Sequence, residues 1–241
     1  MTMIENKKIF IFFFLFSFLF GHDAPYSLDK FKDVLDISKL QAPNSHYNSL
    51  YSRKYGDFEY YSNKYFYLQD NDYMVFFMCG NHNRSELRFQ KDWKTNTNKE
   101  KILDAELKIF PLNQTREFTF LQIHADSTLK NQPTINKPLL RIVWYKTLHR
   151  LKGHLWAVIR LDDNLLEKNY QKIDLGKAQK DFFNVKISVL NNILKVYVNQ
   201  KLKVNKNVNY WDKYQNYFKV GVYLQDKGCS KVLFKKLIIK E

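Results

Sequence analysis

Cysteine is nearly absent from this chain, with two residues, Cys79 and Cys229, in 241. That excludes a disulfide-dense scaffold, and the sequence offers no clustered metal-ligand set such as His-x-x-x-His or Cys-x-x-Cys. Whether the two cysteines bridge or stay as half-buried thiols is open, because sequence does not say how close their strands lie. Glycine and proline are also scarce, at seven and five, and there is no internal repeat, Pro/Gly-rich linker or low-complexity tract after the N-terminus. Acidic residues number 24 against 39 lysines and arginines, a formal charge of +15. Such a charge implies an acidic partner. Nucleic acid is not expected, since the lysines are spread along the chain without a recognised binding motif.

Long apolar runs are missing too, with one exception. Ile9 to Phe20 follows Lys7 and Lys8 and ends at Gly21 before His22-Asp23. It is too short to span a bilayer and fits the apolar region of a signal peptide. The expectation is a signal peptide over residues 1–21, cleaved after Gly21, and one secreted domain over 22–241, a monomer with no membrane attachment once cleaved.

What is present is strand signal. A hydrophobic content of 45% with 17% aromatics excludes disorder, and the length suits a single all-β domain. Alternating or apolar runs recur at 65–68, 73–78, 85–89, 105–109, 118–124, 139–145, 154–161, 183–190, 194–198, 217–225 and 231–239. Asn191-Asn192 between two of them reads as a tight hairpin turn. Residues 22–54 read as a polar, irregular wrap with a short helix within 28–40. Many short strands and little helix predict a jelly-roll β-sandwich of two antiparallel sheets, one of them carrying a polar cleft.

Three strands carry unusual polar faces. In 217–225, Phe218, Val220, Val222 and Leu224 fall on one face, and Tyr217, Lys219, Gly221, Tyr223 and Gln225 on the other. A lysine near tyrosines is expected to lower their phenol pKa values, and Gly221 to let a polymer backbone come close. In 84–88, Arg84, Glu86 and Arg88 share a face; in 117–124, Gln122 and His124 do. Each segment alone fits an ordinary salt-bridged or solvated strand better than a site. If the three lie side by side, they make one cation-rich floor containing a histidine and a tyrosine.

Together, Arg-Ser-Glu-Leu-Arg at 84–88, Gln-Ile-His at 122–124 and Tyr-Phe-Lys-Val-Gly-Val-Tyr-Leu-Gln at 217–225 resemble the three signature blocks of the alginate lyases of polysaccharide lyase family seven, in the family's order. The resemblance covers most of the chain after about residue 30. Two positions depart from the usual pattern: Leu224, often polar in relatives, and Phe89, often glutamate. The resemblance implies the jelly-roll fold and an acidic polysaccharide, alginate, as partner. It also implies β-elimination at the 4-O-glycosidic bond by Arg84, Gln122, His124 and Tyr223, with Glu86, Arg88, Lys219, Gln225 and Tyr217 binding substrate. No cofactor or metal enters that scheme.

The chemistry is consistent. Removing the C5 proton of a uronate builds a second negative charge beside its carboxylate, so the carboxylate must be neutralised by fixed donors and cations. Arg84, with its planar fork, and Gln122 suit that task. His124 has a suitable intrinsic pKa for the base, and Tyr223 can protonate the leaving oxygen or serve as base for the other epimer. A hydrolase on a similar sandwich would need paired carboxylates, for example Glu-x-Asp-x-x-Glu, and no such run exists. A non-catalytic module for anionic polysaccharide, or a lyase for another polyuronate, are the alternatives. Ile123 in the middle of Gln-x-His is, in the resembled family, associated with guluronate-containing chains.

Overall fold

In the computed structural model, residues 23–163 and 169–241 are described; the expected signal segment at 1–21 lies outside them. A 3-10 turn at Pro25–Ser27 leads into α1 (Asp29–Asp36), whose buried Phe31, Val34 and Leu35 pin it to the body. Fourteen strands follow: β1 (Ser38–Gln41), β2 (Phe66–Gln69), β3 (Tyr73–Gly80), β4 (Arg84–Phe89), β5 (Lys101–Leu112), β6 (Glu117–Ala125), β7 (Pro138–Leu148), β8 (Leu151–Arg160), β9 (Tyr170–Lys177), β10 (Phe183–Leu190), β11 (Ile193–Val198), β12 (Lys201–Asn207), β13 (Asn216–Leu224) and β14 (Gly228–Lys240). They form two seven-stranded antiparallel sheets. The front sheet runs β1-β4-β13-β6-β7-β8-β9 and the back sheet β12-β11-β10-β5-β14-β3-β2.

The sequence expectation of a two-sheet sandwich holds. The helix expected within 28–40 is shorter, because Ser38–Gln41 pairs as an edge strand with β4. Three strands were not anticipated, β1, β9 and β12, and each lies at a sheet edge. An edge strand has one neighbour and a solvated flank, so its sequence need not alternate strictly.

Alternation explains the core. In β5, Leu103, Ala105, Leu107 and Ile109 are buried between the sheets, and in β10 Phe183, Val185, Ile187 and Val189 do the same. From the front sheet, Leu87, Leu121, Ile123, Phe218, Val220, Val222 and Leu224 meet them. Asn191 and Asn192 both have positive φ, 47° and 62°, and form the two-residue hairpin turn between β10 and β11. Cys79 and Cys229 stand opposite each other on β3 and β14 and are joined by a disulfide. It closes a 150-residue separation, a cross-link that in the chain-entropy model stabilises by about 4–5 kcal/mol.

Two local features shape the front sheet. On β6 the register slips around Phe120, against both β13 and β7. Phe120 and Leu121 are consecutive and both fully buried, so the bulge inverts the alternation and brings Thr119 opposite Tyr223. The second feature corrects an expectation. A Cβ on Gly221 would lie 2.2 Å from the Ser85 carbonyl oxygen and 3.0 Å from the core residue Phe76, and φ is +133°. Glycine is required there by strand β4 and the core, not by an approaching polymer.

Candidate active site

β13, the last of the three motif strands in sequence, lies between the other two. Lys219 stands opposite Arg88 on β4 and Gln122 on β6, Tyr223 opposite Arg84, and Tyr217 opposite His124. The three polar faces therefore merge, which the sequence left conditional on the strands lying side by side. Above them lies a cleft of about 630 Å³ that reaches from Gln41 on β1 to Tyr170 on β9, and so crosses every strand of the front sheet. Arg84, Gln122, His124, Tyr217, Lys219, Tyr223 and Gln225 all line it.

Glu86 and Arg88 do not line it; they sit beneath. Glu86 is 1% exposed and accepts hydrogen bonds from Lys219 Nζ at 2.5 Å, from Gln122 Nε2, and from Arg84 Nη1 at 3.4 Å. One carboxylate thus holds in place three groups expected to meet substrate. Two cations against one anion leave a unit of positive charge facing the cleft, and burial in low dielectric makes it count. Arg84 Nε is buried and has no hydrogen-bond partner among the described residues. The Arg84 guanidinium lies 4.4 Å from the centre of the Tyr223 ring, fixing the phenol beside it.

Arg88 pairs with Asp126 and stacks on the Tyr217 ring, its guanidinium carbon 4.0 Å from the centroid. Tyr217 in turn stacks on His124, with centroids 5.5 Å apart and planes 20° apart. His124 Nδ1 lies 2.8 Å from the Ala125 carbonyl oxygen, which can only accept; Nδ1 therefore carries the proton and Nε2 the lone pair. Burial, then the positive charges of Lys219, Arg84 and Arg88, push the His124 pKa down to about 3. The imidazole is neutral and basic in form at ordinary pH.

Burial also lowers Lys219 to about 8, with Arg84 adding to the shift and Glu86 opposing it. The phenol of Tyr217 moves the other way from the sequence expectation. It is 9% exposed, and burial raises its pKa far more than the neighbouring Arg88 lowers it.

Sequence reading missed several lining residues: Gln41 and Ser45 from β1 and the loop after it, His82 before β4, Asn136 and Lys137 before β7, and Arg141, Arg160 and Tyr170 beyond. Arg141 had a usable signal, being the one charged residue in the expected strand 139–145, and it stands opposite Gln122. The pairings in fact trace one row across the whole sheet: Lys39, Arg88, Lys219, Gln122, Arg141, Val158, Lys172. Of that row Lys219, Gln122 and Arg141 line the cleft, so the two cations it offers a polyanion there stand two strand spacings apart, about 10 Å. Several members of the row lean on tyrosines: Lys39 on Tyr55, Arg88 on Tyr217, Arg141 on Tyr170 and Lys172 on Tyr145.

Known proteins share this fold and much of this sequence. The alginate lyase family model Alginate_lyase2 matches residues 35–241. An alginate lyase from Photobacterium sp. (strain ATCC 43367) is 34% identical over 250 residues, covering 90% of this chain and 87% of that protein. The solved alginate lyase AlyC3 superposes with a TM-score of 0.80 at 31% identity, over 91% of this chain and 95% of that one. Its complex with dimannuronate gives 0.79 at 30% identity, over 91% and 94%. Alginate lyase A1-II′, a member of polysaccharide lyase family 7, shares the fold with a TM-score of 0.72 at 19% identity, over 88% and 97%.

Proposed function

Because the chain belongs to the alginate lyase family and is a polysaccharide lyase, we propose that it cuts alginate by β-elimination, using Arg84, Gln122, His124 and Tyr223. The observation that carries this reading is the Glu86-anchored cluster, which presents Lys219, Arg84 and Gln122 to the cleft beside a neutral histidine. In this reading the uronate carboxylate docks on that surplus charge. Gln122 spends one amide N–H on Glu86 and keeps its second for the ligand. Neutralising the carboxylate makes the C5 proton removable, because the negative charge that develops is met by donors already in place.

The same docking prepares the base. His124 is held at low pKa partly by Lys219 and Arg84, which the single Glu86 carboxylate balances only in part; a bound carboxylate supplies the missing counter-charge and raises the basicity of Nε2 as substrate arrives. Tyr223, steadied by Arg84, donates its phenolic proton to the departing O4; for the epimer whose C5 proton lies on its side, the Tyr223 phenolate accepts that proton and passes it to O4. The products are a new reducing end and an unsaturated uronate, and no water is consumed. Incubating the protein with alginate should raise ultraviolet absorbance from the new double bond, with no oxygen-18 from labelled water at the new reducing end. Label at that position means hydrolysis and ends the proposal.

Guluronate-containing or mixed blocks are the preferred substrate in this reading. Ile123 supports it indirectly: it is fully buried between Gln122 and His124, so its bulk sets how those two stand against the sugar. The related AlyC3 has been solved with dimannuronate, and mannuronate is accordingly the competing block. Wild-type kcat/KM should be higher on polyguluronate than on polymannuronate, and Ile123→Val should narrow the ratio; a wild-type preference for polymannuronate removes this part alone. Secretion belongs to the same reading, supported by the Ile9–Phe20 run and by a disulfide of the kind that persists in oxidising compartments.

A further inference from the structure

The cleft does not end at the edge of the front sheet. Gln41 and Ser45, which line it at its β1 end, also line a second cavity of about 490 Å³ beyond that edge. This cavity is built by β1 and the strap that follows it. Its lining includes Lys39, Lys54, His46, Tyr47 and Tyr55, and among the described residues no carboxylate. Lys39 is the first residue of the row that crosses the sheet, and its Nζ lies 5.0 Å from the centre of the Tyr55 ring. Tyr47 is 59% exposed, a large aromatic face left open to solvent.

The strap is fixed in place. Leu40 and Arg53 exchange backbone hydrogen bonds at 3.1 Å, drawing the two ends of the strap together. Ser52, 2% exposed, donates its hydroxyl proton to the Ala42 carbonyl at 2.9 Å and accepts from the amide of Asn48 at 3.3 Å. The amides of His46 and Leu50 donate at 2.9 Å to the side chains of Asn44 and Asn48. Arg53 is committed to this framework, donating to the carbonyls of Ser49 and Ser52 and stacking on Tyr61. Lys54 and Tyr47 have no such structural duty, and a pocket already ordered loses little entropy when it binds.

We propose that this edge pocket is a distal subsite, binding a uronate of the same chain several sugars from the bond that is cut, with Lys39 and Lys54 on its carboxylate and Tyr47 and Tyr55 against its ring. The proposal rests on alginate, a polyuronate, being the substrate. A chain that crosses the strands from His124 on β6 travels three strand spacings, about 14 Å, before it meets β1 and enters the pocket. Short oligomers centred on the cut do not reach it; long ones do.

The test compares wild type with Lys54→Ala/Tyr47→Ala and with Lys54→Glu, on polymeric alginate and on a uronate trisaccharide. Both residues are exposed, so the fold is expected to survive. The double variant should lose about tenfold in kcat/KM on polymer, because it removes an ion pair and an aromatic contact together. Lys54→Glu should lose at least as much, and both should match wild type on the trisaccharide. Equal losses on both substrates, or an unchanged rate on polymer from an enzyme that cleaves it, overturn the subsite and leave the lyase reading standing. A wild-type protein inert on alginate but active on another polymer overturns the substrate reading and the subsite with it.

Discussion

Lysine–carboxylate pairs stand on the outer faces of both sheets, and the two faces use them in opposite ways. On the back sheet, Lys236 meets Asp104 and Lys235 meets Glu106, each at 3.4 Å, with lysine side chains 50% and 46% exposed. On the front sheet, Lys219 meets Glu86 at 2.5 Å with the two side chains 2% and 1% exposed. Water screens the first two pairs, which by the usual measure are worth at most about 1 kcal/mol each. The third has been taken out of water and is held by further hydrogen bonds, so breaking it leaves an uncompensated buried charge. The back sheet spends its charges on solubility. The front sheet keeps its charges dry at the cost of stability, a pattern seen where charge is needed for binding or chemistry.

The comparison breaks most visibly in activity. His124→Ala and Tyr223→Phe should each lower kcat by about 10²–10⁴-fold, the usual range for a proton-transferring group. Unfolding temperature should change little, because both face the cleft and neither fills the core between the sheets. Steady-state rates on each uronate block, with circular dichroism melts alongside, check this; a variant that retains most activity on every block removes that residue from the mechanism.

Stability supplies the next largest effect. Glu86→Gln strands Lys219 and Arg84 as unbalanced cations under the cleft floor and should cost about 3–5 kcal/mol. For a chain of this size that lowers Tm by on the order of 10 °C, and denaturant titration should report the same loss. A shift within 2 °C would mean that the cluster is better solvated than its burial implies.

The dry charges should also shape the pH profile. Free-enzyme groups govern kcat/KM. Lys219 must be protonated to attract a carboxylate, and its pKa is lowered to about 8, so kcat/KM should fall as pH rises through about 8, nearly tenfold per unit beyond it. Lys219→Arg keeps the charge and should move that limb upward. His124 works as a neutral base and is lowered to about 3, so no acid limb should appear near 6.5. A clear drop in kcat/KM between pH 7 and 6 would contradict the depressed histidine.

Much of this was legible in the sequence, for a physical reason. Period-two alternation assigns each residue to a face, so the polar sets Arg84/Glu86/Arg88, Gln122/His124 and Tyr217/Lys219/Tyr223 could be read directly. Neighbours are a different matter. That β13 would insert between β4 and β6 follows from long-range pairing, which no local pattern encodes. Depth was equally hidden: Glu86 and Arg88 share the polar face with Arg84, yet the floor closes over them. The bulge at Phe120 reads as a lapse in alternation only after Thr119 is seen opposite Tyr223. β1 escaped notice because Ser-Lys-Leu-Gln contains one apolar residue, so residues 38–41 read as part of the irregular wrap over 22–54.

The smallest expected effect sharpens the comparison most. Glu106→Gln on the back sheet is the same substitution as Glu86→Gln, at a carboxylate that also has a lysine partner. Its side chain is 36% exposed, and Lys235 can turn to water when the partner charge is lost. The expected cost is about 0.2–1 kcal/mol, falling further in high salt as screening shrinks what little attraction there was. Activity on alginate should not change, since the back sheet does not line the cleft. The Glu86 variant differs on each count, because its loss comes from desolvation that added salt cannot reach. Measuring both variants at low and high ionic strength separates the two mechanisms. Should Glu106→Gln cost as much as Glu86→Gln, burial would not be what distinguishes the sheets.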